Sequence, residues 1–357
     1  MEESSERMCG VLLVGHGGPE NLEYRRDIPV PSPGPGDVQV RVEAAGVNNT
    51  DINTRTGWYS KGNHDAADAS WTGQALVLPC IQGADVCGTI VGVGESVPDD
   101  RIGERVLIEP CLREAGGDAL DPPWYFGSEC DGGFAEYTVV AARHAHKVDS
   151  PLKSSELASF PCSYSTAENM LTRAGVRKDE RVLITGASGG VGSAAIQLAK
   201  VRGAQVFAIT SPSKAAALRD VGADETIGRD EDLVSRLGAN SIDAIIDLVA
   251  GPSWPSLLDV MRPGGRYAVS GAIGGPIVEL DVRTLYLKDL SFYGCTVLEP
   301  AVFGNLVALI ARGAIKPLVA ETFPLEKIAD AQEAFQKKGH IGKIVLTVGG
   351  EADSPAQ

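Results

Sequence analysis

The stretch VLITGASGGVGSAAIQLAK, residues 182–200, passes from an apolar β-branched run through a glycine-rich turn into an amphipathic helical pattern. A buried strand here delivers the chain to a turn whose missing side chains at Gly189 and Gly190 let backbone N–H groups approach phosphate oxygens. The helix N-terminus adds its partial positive charge, and Gly192 lets helix and strand pack closely. Ala187 stands where the common fingerprint has its first glycine, so context identifies the loop more than glycine count. Residues Ser188, Gly189, Gly190, Val191 and Gly192 are therefore read as a cradle for the diphosphate of a dinucleotide.

Downstream, strand and helix patterns alternate: QVFAIT (205–210), a helical run over 212–221, then IDAIIDLV (242–248). Gly203 and Gly222 fall where helices should stop, and Pro212 where one should start. Such alternation predicts a doubly wound parallel sheet with helices on both faces. About 20 residues beyond the loop, an acidic side chain would bond the ribose hydroxyls of NAD and repel a 2′-phosphate. This chain instead carries Thr210, Ser211, Ser213 and Lys214, with no Asp or Glu among residues 209–214. Hydroxyls and an ammonium favour a phosphate, so NADPH is expected over NADH, and Arg229 after the third strand could reach the same group.

Before residue 150 the pattern is short β-branched runs punctuated by Gly and Pro: VQVRVEAAGV (38–47), DVCGTIVGVG (85–94), RVLIEP (105–110) and FAEYTVV (134–140). That predicts a β-rich, barrel-like unit. Two polar stretches interrupt it, 60–78 and 111–131, with Trp71, Trp124 and Tyr125 embedded. Long loops carrying aromatics either cover a site or pack on themselves. After Ser291 come two helical stretches and a last strand, GKIVLTV (342–348), too short for a domain of their own and expected to complete the first. The expected limits are 1–155, 156–297 and a returning segment 298–357.

A chain of 357 residues with 43% hydrophobic composition can fill two cores. Its net charge of −15 offers no basic surface for nucleic acid or an anionic membrane. No apolar run reaches the ~18 residues of a membrane span, and MEESSERMCG lacks the layout of a secretory signal, so the expected compartment is the cytoplasm. The seven cysteines are scattered and never spaced CxxC, which reads as reduced thiols, although Cys111 and Cys130 bracket an insertion that a disulfide could close.

Five segments, AAGVNNTDINTRTGWY (44–59), IQGADVCGTIVGVGESV (81–97), GGFAEYTVV (132–140), ITGASGGVGSAAIQLAK (184–200) and IGKIVLTV (341–348), together resemble the medium-chain dehydrogenase/reductase superfamily, in its zinc-free quinone oxidoreductase branch. The resemblance covers nearly the whole chain. It implies an α/β protein with a GroES-like β-rich catalytic domain and a doubly wound Rossmann domain, an active site in the cleft between them, and a homodimer paired through the edge strand LSFYGCTV (290–297). Zinc-dependent relatives use a Cys, a His and a second Cys as ligands. The matching positions here are Asn48, Ala84, followed by Asp85, and Cys162, so no catalytic metal is expected. His144 and His146, spaced HxH, lack a third partner and are expected to be solvated.

Without a metal, charge that develops during hydride transfer to an electrophilic carbonyl needs hydrogen-bond donors. The resemblance assigns Tyr59 as acid or polarising donor and Asn48 as an orienting amide, with Thr50 at the position of a relay hydroxyl. It further implies Thr166 and the backbone of Ser270, Gly271 and Ala272 near the nicotinamide, and Lys343 against the pyrophosphate. The expected substrate is a small quinone, enone or other conjugated carbonyl. A zinc-type alcohol dehydrogenase and a non-catalytic dinucleotide-binding protein are the competing readings.

Overall fold

The computed structural model describes residues 6–60, 70–73 and 75–349. The chain divides into two compact units: Met1–Cys162 with Pro317–Gly339 and Lys343–Gln357, and Ser163–Lys316 with His340–Gly342. The division differs from the expected limits at one place of consequence. Residues 298–316 group with the second unit, because the Asn169 side chain clamps both the Val297 carbonyl at 3.1 Å and the Glu299 N–H at 3.0 Å, and the Tyr164 hydroxyl donates to the Lys316 carbonyl at 2.8 Å.

The first unit is built on a seven-stranded sheet. Its path runs through Ala145–Lys147, Arg105–Ile108, Asp85–Val93, Asp37–Gly46, Lys343–Thr347 and Val319–Pro324, with Tyr137–Ala141 also paired to Asp37–Gly46. Alternation along the long central strand turns Val38, Val40 and Val42 inward, where they meet Val86, Ile90, Val106, Ile344 and Leu346. Gly46 pairs with Asp85 on one side and Val345 on the other. A Cβ at Gly46 would lie 2.6 Å from an Asp85 carboxylate oxygen and 2.8 Å from the Ala158 carbonyl, so close approach of three chain segments demands glycine here.

Residues 111–131 are not an irregular loop. They form an antiparallel hairpin, Cys111–Ala115 with Asp118–Tyr125, turned by Gly116 and Gly117 at φ of 59° and 87°. Positive φ at both central residues is what a two-residue type I′ hairpin requires. None of the seven cysteines is disulfide-bonded. Residues 61–69 and Gln74 of the other insertion lie outside the described residues.

The second unit is a six-stranded, all-parallel sheet in the order Glu225–Gly228, Gln205–Thr210, Arg181–Ile184, Ile242–Asp247, Met261–Val269 and Ser291–Gly294. In chain order that is third, second, first, fourth, fifth, sixth, the doubly wound arrangement whose crevice opens at the carboxyl ends of the first and fourth strands. Ser291–Gly294 lies at the edge, as the sequence predicts.

Candidate active site

In the first unit, strand register places Asn48, Asp85 and Lys343 side by side. Asp85 and Lys343 are 0% and 2% exposed, and their charged groups meet at 2.6 Å. The Asn48 amide donates to the same Asp85 oxygen at 2.9 Å and to the Gly46 carbonyl at 3.3 Å, while its oxygen accepts from the Lys343 ammonium. The other Asp85 oxygen accepts the backbone N–H of Cys162. Asn48 therefore holds neighbours in place and has both N–H bonds committed within the protein. Lys343, expected against a pyrophosphate, is instead the buried counter-ion of Asp85. Burial of two opposite charges at contact distance makes each the other's dominant partner.

The helix Asn49–Thr56 starts at this point, with the Asp51 carboxylate accepting from the Asn48 N–H at 2.7 Å. Burial pushes Asp51 up to about 7, opposed by that bond and by Lys343. The helix carries Thr50 inward, where its hydroxyl is buried without a well-formed hydrogen bond among the described residues. Beyond the helix, Tyr59 is half-buried. Burial raises its pKa above the ordinary phenol range, and the neighbouring Thr50 and Asn53 side chains work in the other direction. Tyr59 therefore remains a proton donor at neutral pH.

Three further side chains complete the cluster. The Tyr125 hydroxyl lies 2.8 Å from the Cys162 sulfur, and its ring stacks on Trp71 with centroids 5.1 Å apart. Ala84, Tyr125 and Cys162 share a small buried apolar cluster, against which Trp71 packs. Burial, reinforced by the Asp85 charge, pushes the Cys162 thiol up to about 12. Sequence reasoning noted Tyr125 and Trp71 only as aromatics in insertions and did not single out Asp51.

His144 and His146 are not both solvated. His144 is 1% exposed, with Nδ1 3.1 Å from Glu109 Oε2 and Nε2 accepting from the Arg113 N–H at 3.0 Å. His146 Nε2 sits 3.2 Å from the same Glu109 oxygen. Burial opposes ionisation of Glu109, but the two imidazoles outweigh it and hold the carboxyl down to about 2. A carboxylate from a neighbouring strand is the partner that HxH spacing alone could not show.

In the second unit the expected nucleotide contacts gather at the carboxyl edge of the sheet. Ser188–Gly192 follow the first strand, Thr210 and Ser211 end the second, Arg229 follows the third and Ser270–Ala272 follow the fifth. The tight turn is made by Gly186 at φ 56°, one residue before Ala187. A Cβ at Gly192 would collide with the Gly186 carbonyl, so that glycine serves helix packing. At Gly189 the nearest atom to such a Cβ is 3.5 Å away, an ordinary contact. No described residue requires glycine there, which fits a ligand approaching the backbone. The Thr210 hydroxyl is buried with no hydrogen-bond partner among the described residues. Ser211 and Ser213 hydroxyls are 3.2 Å apart, and Lys214 donates to the His340 carbonyl at 2.7 Å. Burial and the nearby Arg229 charge both lower the Lys214 pKa, so a second cation lies close to Lys214. Thr166 is half-buried in the helix Pro161–Arg173.

The two halves match separate family models: an alcohol dehydrogenase GroES-like domain over residues 34–150 and a zinc-binding dehydrogenase over residues 190–312. The chain is 30% identical to a human quinone oxidoreductase, with 97% of this chain and 99% of that protein covered. It is also 30% identical to an NAD-dependent alcohol dehydrogenase of Sulfolobus acidocaldarius, covering 96% and 100%. A Sinorhizobium meliloti 1021 structure, described provisionally as an alcohol dehydrogenase, is 44% identical with a TM-score of 0.89 over 96% of this chain and 97% of that one. A β-rich unit of GroES type, a parallel sheet in dinucleotide-binding order and relatives matched end to end converge on one assignment: this chain is an oxidoreductase of the medium-chain dehydrogenase/reductase superfamily.

Proposed function

We propose that the protein is an NADPH-dependent reductase of conjugated carbonyl compounds, quinones, enones or enoyl thioesters, that uses hydrogen-bond donors instead of a metal at the substrate oxygen. The observation that carries this reading is the state of the three positions where zinc-dependent members place ligands. Asn48 is an amide engaged by Asp85 and Lys343, Ala84 offers no ligand atom, and Cys162 is a thiol 2.8 Å from the Tyr125 hydroxyl. Catalytic zinc wants three protein ligands, and these positions supply a single thiol, which does not fit it. Among the described residues no group of three or more His, Cys, Asp or Glu could hold a metal ion.

A reduced nicotinamide, when bound, would supply a hydride for the electron-poor carbon of the substrate. As that C–H bond forms, the conjugated π bond breaks and negative charge moves onto oxygen or the α-carbon. Tyr59 gives its phenolic proton to that charge and recovers one from water. Thr50, buried beside it, orients the phenol, and Asn48 fixes the start of the helix that carries Thr50. The Ser188–Gly192 loop would hold the diphosphate, with Thr166, Ser270, Gly271 and Ala272 toward the nicotinamide. Ser211, Ser213, Lys214 and Arg229 would hold the 2′-phosphate. Two cations beside exposed hydroxyls repel each other until an anion joins them, which favours the phosphorylated coenzyme.

Steady-state coenzyme oxidation against a panel of quinones and enones tests this reading. Turnover should be supported by NADPH well ahead of NADH, and absence of turnover with every acceptor would mark a non-catalytic binding protein. Lys214→Ala should raise the KM for NADPH by about 10- to 100-fold, the worth of one charge-assisted bond, and leave that for NADH within about twofold. An equal effect on both coenzymes would remove Lys214 from the phosphate site.

A further inference from the structure

Residues 71–72 of one insertion are tied to residues 125–129 of the other, and Tyr125 sits at the junction. The Glu129 carboxylate accepts from the Thr72 N–H at 2.8 Å, the Thr72 hydroxyl at 2.9 Å and the Tyr125 N–H at 2.9 Å. Ser128 accepts from the Trp71 N–H at 3.0 Å. One carboxylate thus joins residues 71–72 to the end of the hairpin and sets Trp71 flat against Tyr125. The Tyr125 side chain lies against Ala84 and Cys162, two of the three positions at which metal-dependent members hold their cation.

We propose that Tyr125 is a second oxygen-holding phenol, whose hydroxyl donates to the substrate's carbonyl oxygen where those members present a metal, and that the Glu129 bridge to Thr72 and the stacked Trp71 aim it. The proposal rests on the reductase reading above and assigns that site's electrophilic group. A phenol has one hydrogen to donate and lone pairs that accept. Among the described residues the Cys162 sulfur is the hydroxyl's hydrogen-bond partner, and in that 2.8 Å contact either group can be the donor. With the thiol donating to the phenol oxygen, the O–H is left for a ligand. Burial keeps Tyr125 itself protonated far into alkaline pH, so it donates throughout the working range. Close to a buried surface of low polarity, one aimed donor is worth far more than in water. Mere packing of the ring on Trp71 would need no hydroxyl, which makes the two roles separable.

Tyr125→Phe keeps the ring and removes the donor. With NADPH and a conjugated carbonyl it should lower kcat by about 10²-fold, and Tyr125→His, which restores a ring donor, should recover part of the loss. A probe independent of turnover is 4-nitrophenol, whose anion mimics the charged oxygen: the full chain should shift its ionisation to lower pH, and Tyr125→Phe should abolish the shift. Turnover unchanged in Tyr125→Phe, or a nitrophenol shift that is absent from the wild type or survives the substitution, overturns the proposal while leaving the reductase reading intact. A shift that depends on Tyr125 in a protein that reduces no carbonyl supports the oxygen site and overturns the reductase reading instead.

Discussion

Replacing Asp85 with alanine lowers the stability of the first unit by about 3–5 kcal/mol, the cost of leaving a buried charge uncompensated. The Lys343 ammonium, 2% exposed, loses its carboxylate, and the Cys162 N–H and one Asn48 N–H lose their acceptor as well. At about 2–4 °C per kcal/mol for a unit of this size, the melting midpoint should fall by roughly 10 °C. The double variant Asp85→Leu, Lys343→Met should recover much of that loss, because it removes both charges together. Thermal unfolding followed by calorimetry checks both; a single-variant loss under about 1 kcal/mol would mean the pair behaves as a solvated surface contact.

Tyr59→Phe lowers kcat with a quinone or enone by about 10²- to 10⁴-fold, the usual contribution of a positioned acid, with the KM for NADPH nearly unchanged. The pH dependence carries the sign. Burial raises the Tyr59 pKa, so the phenol keeps its proton past the ordinary range and the alkaline fall in wild-type kcat lies above that range. The variant should lack that limb. A tenfold or smaller drop with the limb retained would move the proton donor elsewhere.

What could be read from the sequence was what is local. Strand, turn and helix over 182–200 succeed one another within 19 residues, so their geometry follows from their own pattern, and the alternation after them implies the parallel sheet. Lys343 and Asp85 are far apart in the chain, and their pairing depends on Gly46 lying between Asp85 and Val345 in register, which no local pattern states. Likeness to relatives supplied a different partner for Lys343, and burial decided otherwise. The helix Val302–Ala311 shows an apolar face plainly, yet which unit it joins depends on Asn169 about 130 residues earlier. Tyr125 was visible as an aromatic in an insertion. Its relation to Cys162 required the hairpin turn at Gly116 and Gly117 and the Glu129 bridge.

The most direct test of the account is the rate of NADPH-dependent quinone reduction per chain across preparations whose bound zinc, measured by elemental analysis, ranges from chelator-stripped to fully supplemented. Phenols acting on the oxygen predict a rate that stays flat across the series. A rate that climbs in proportion to bound zinc would contradict the account.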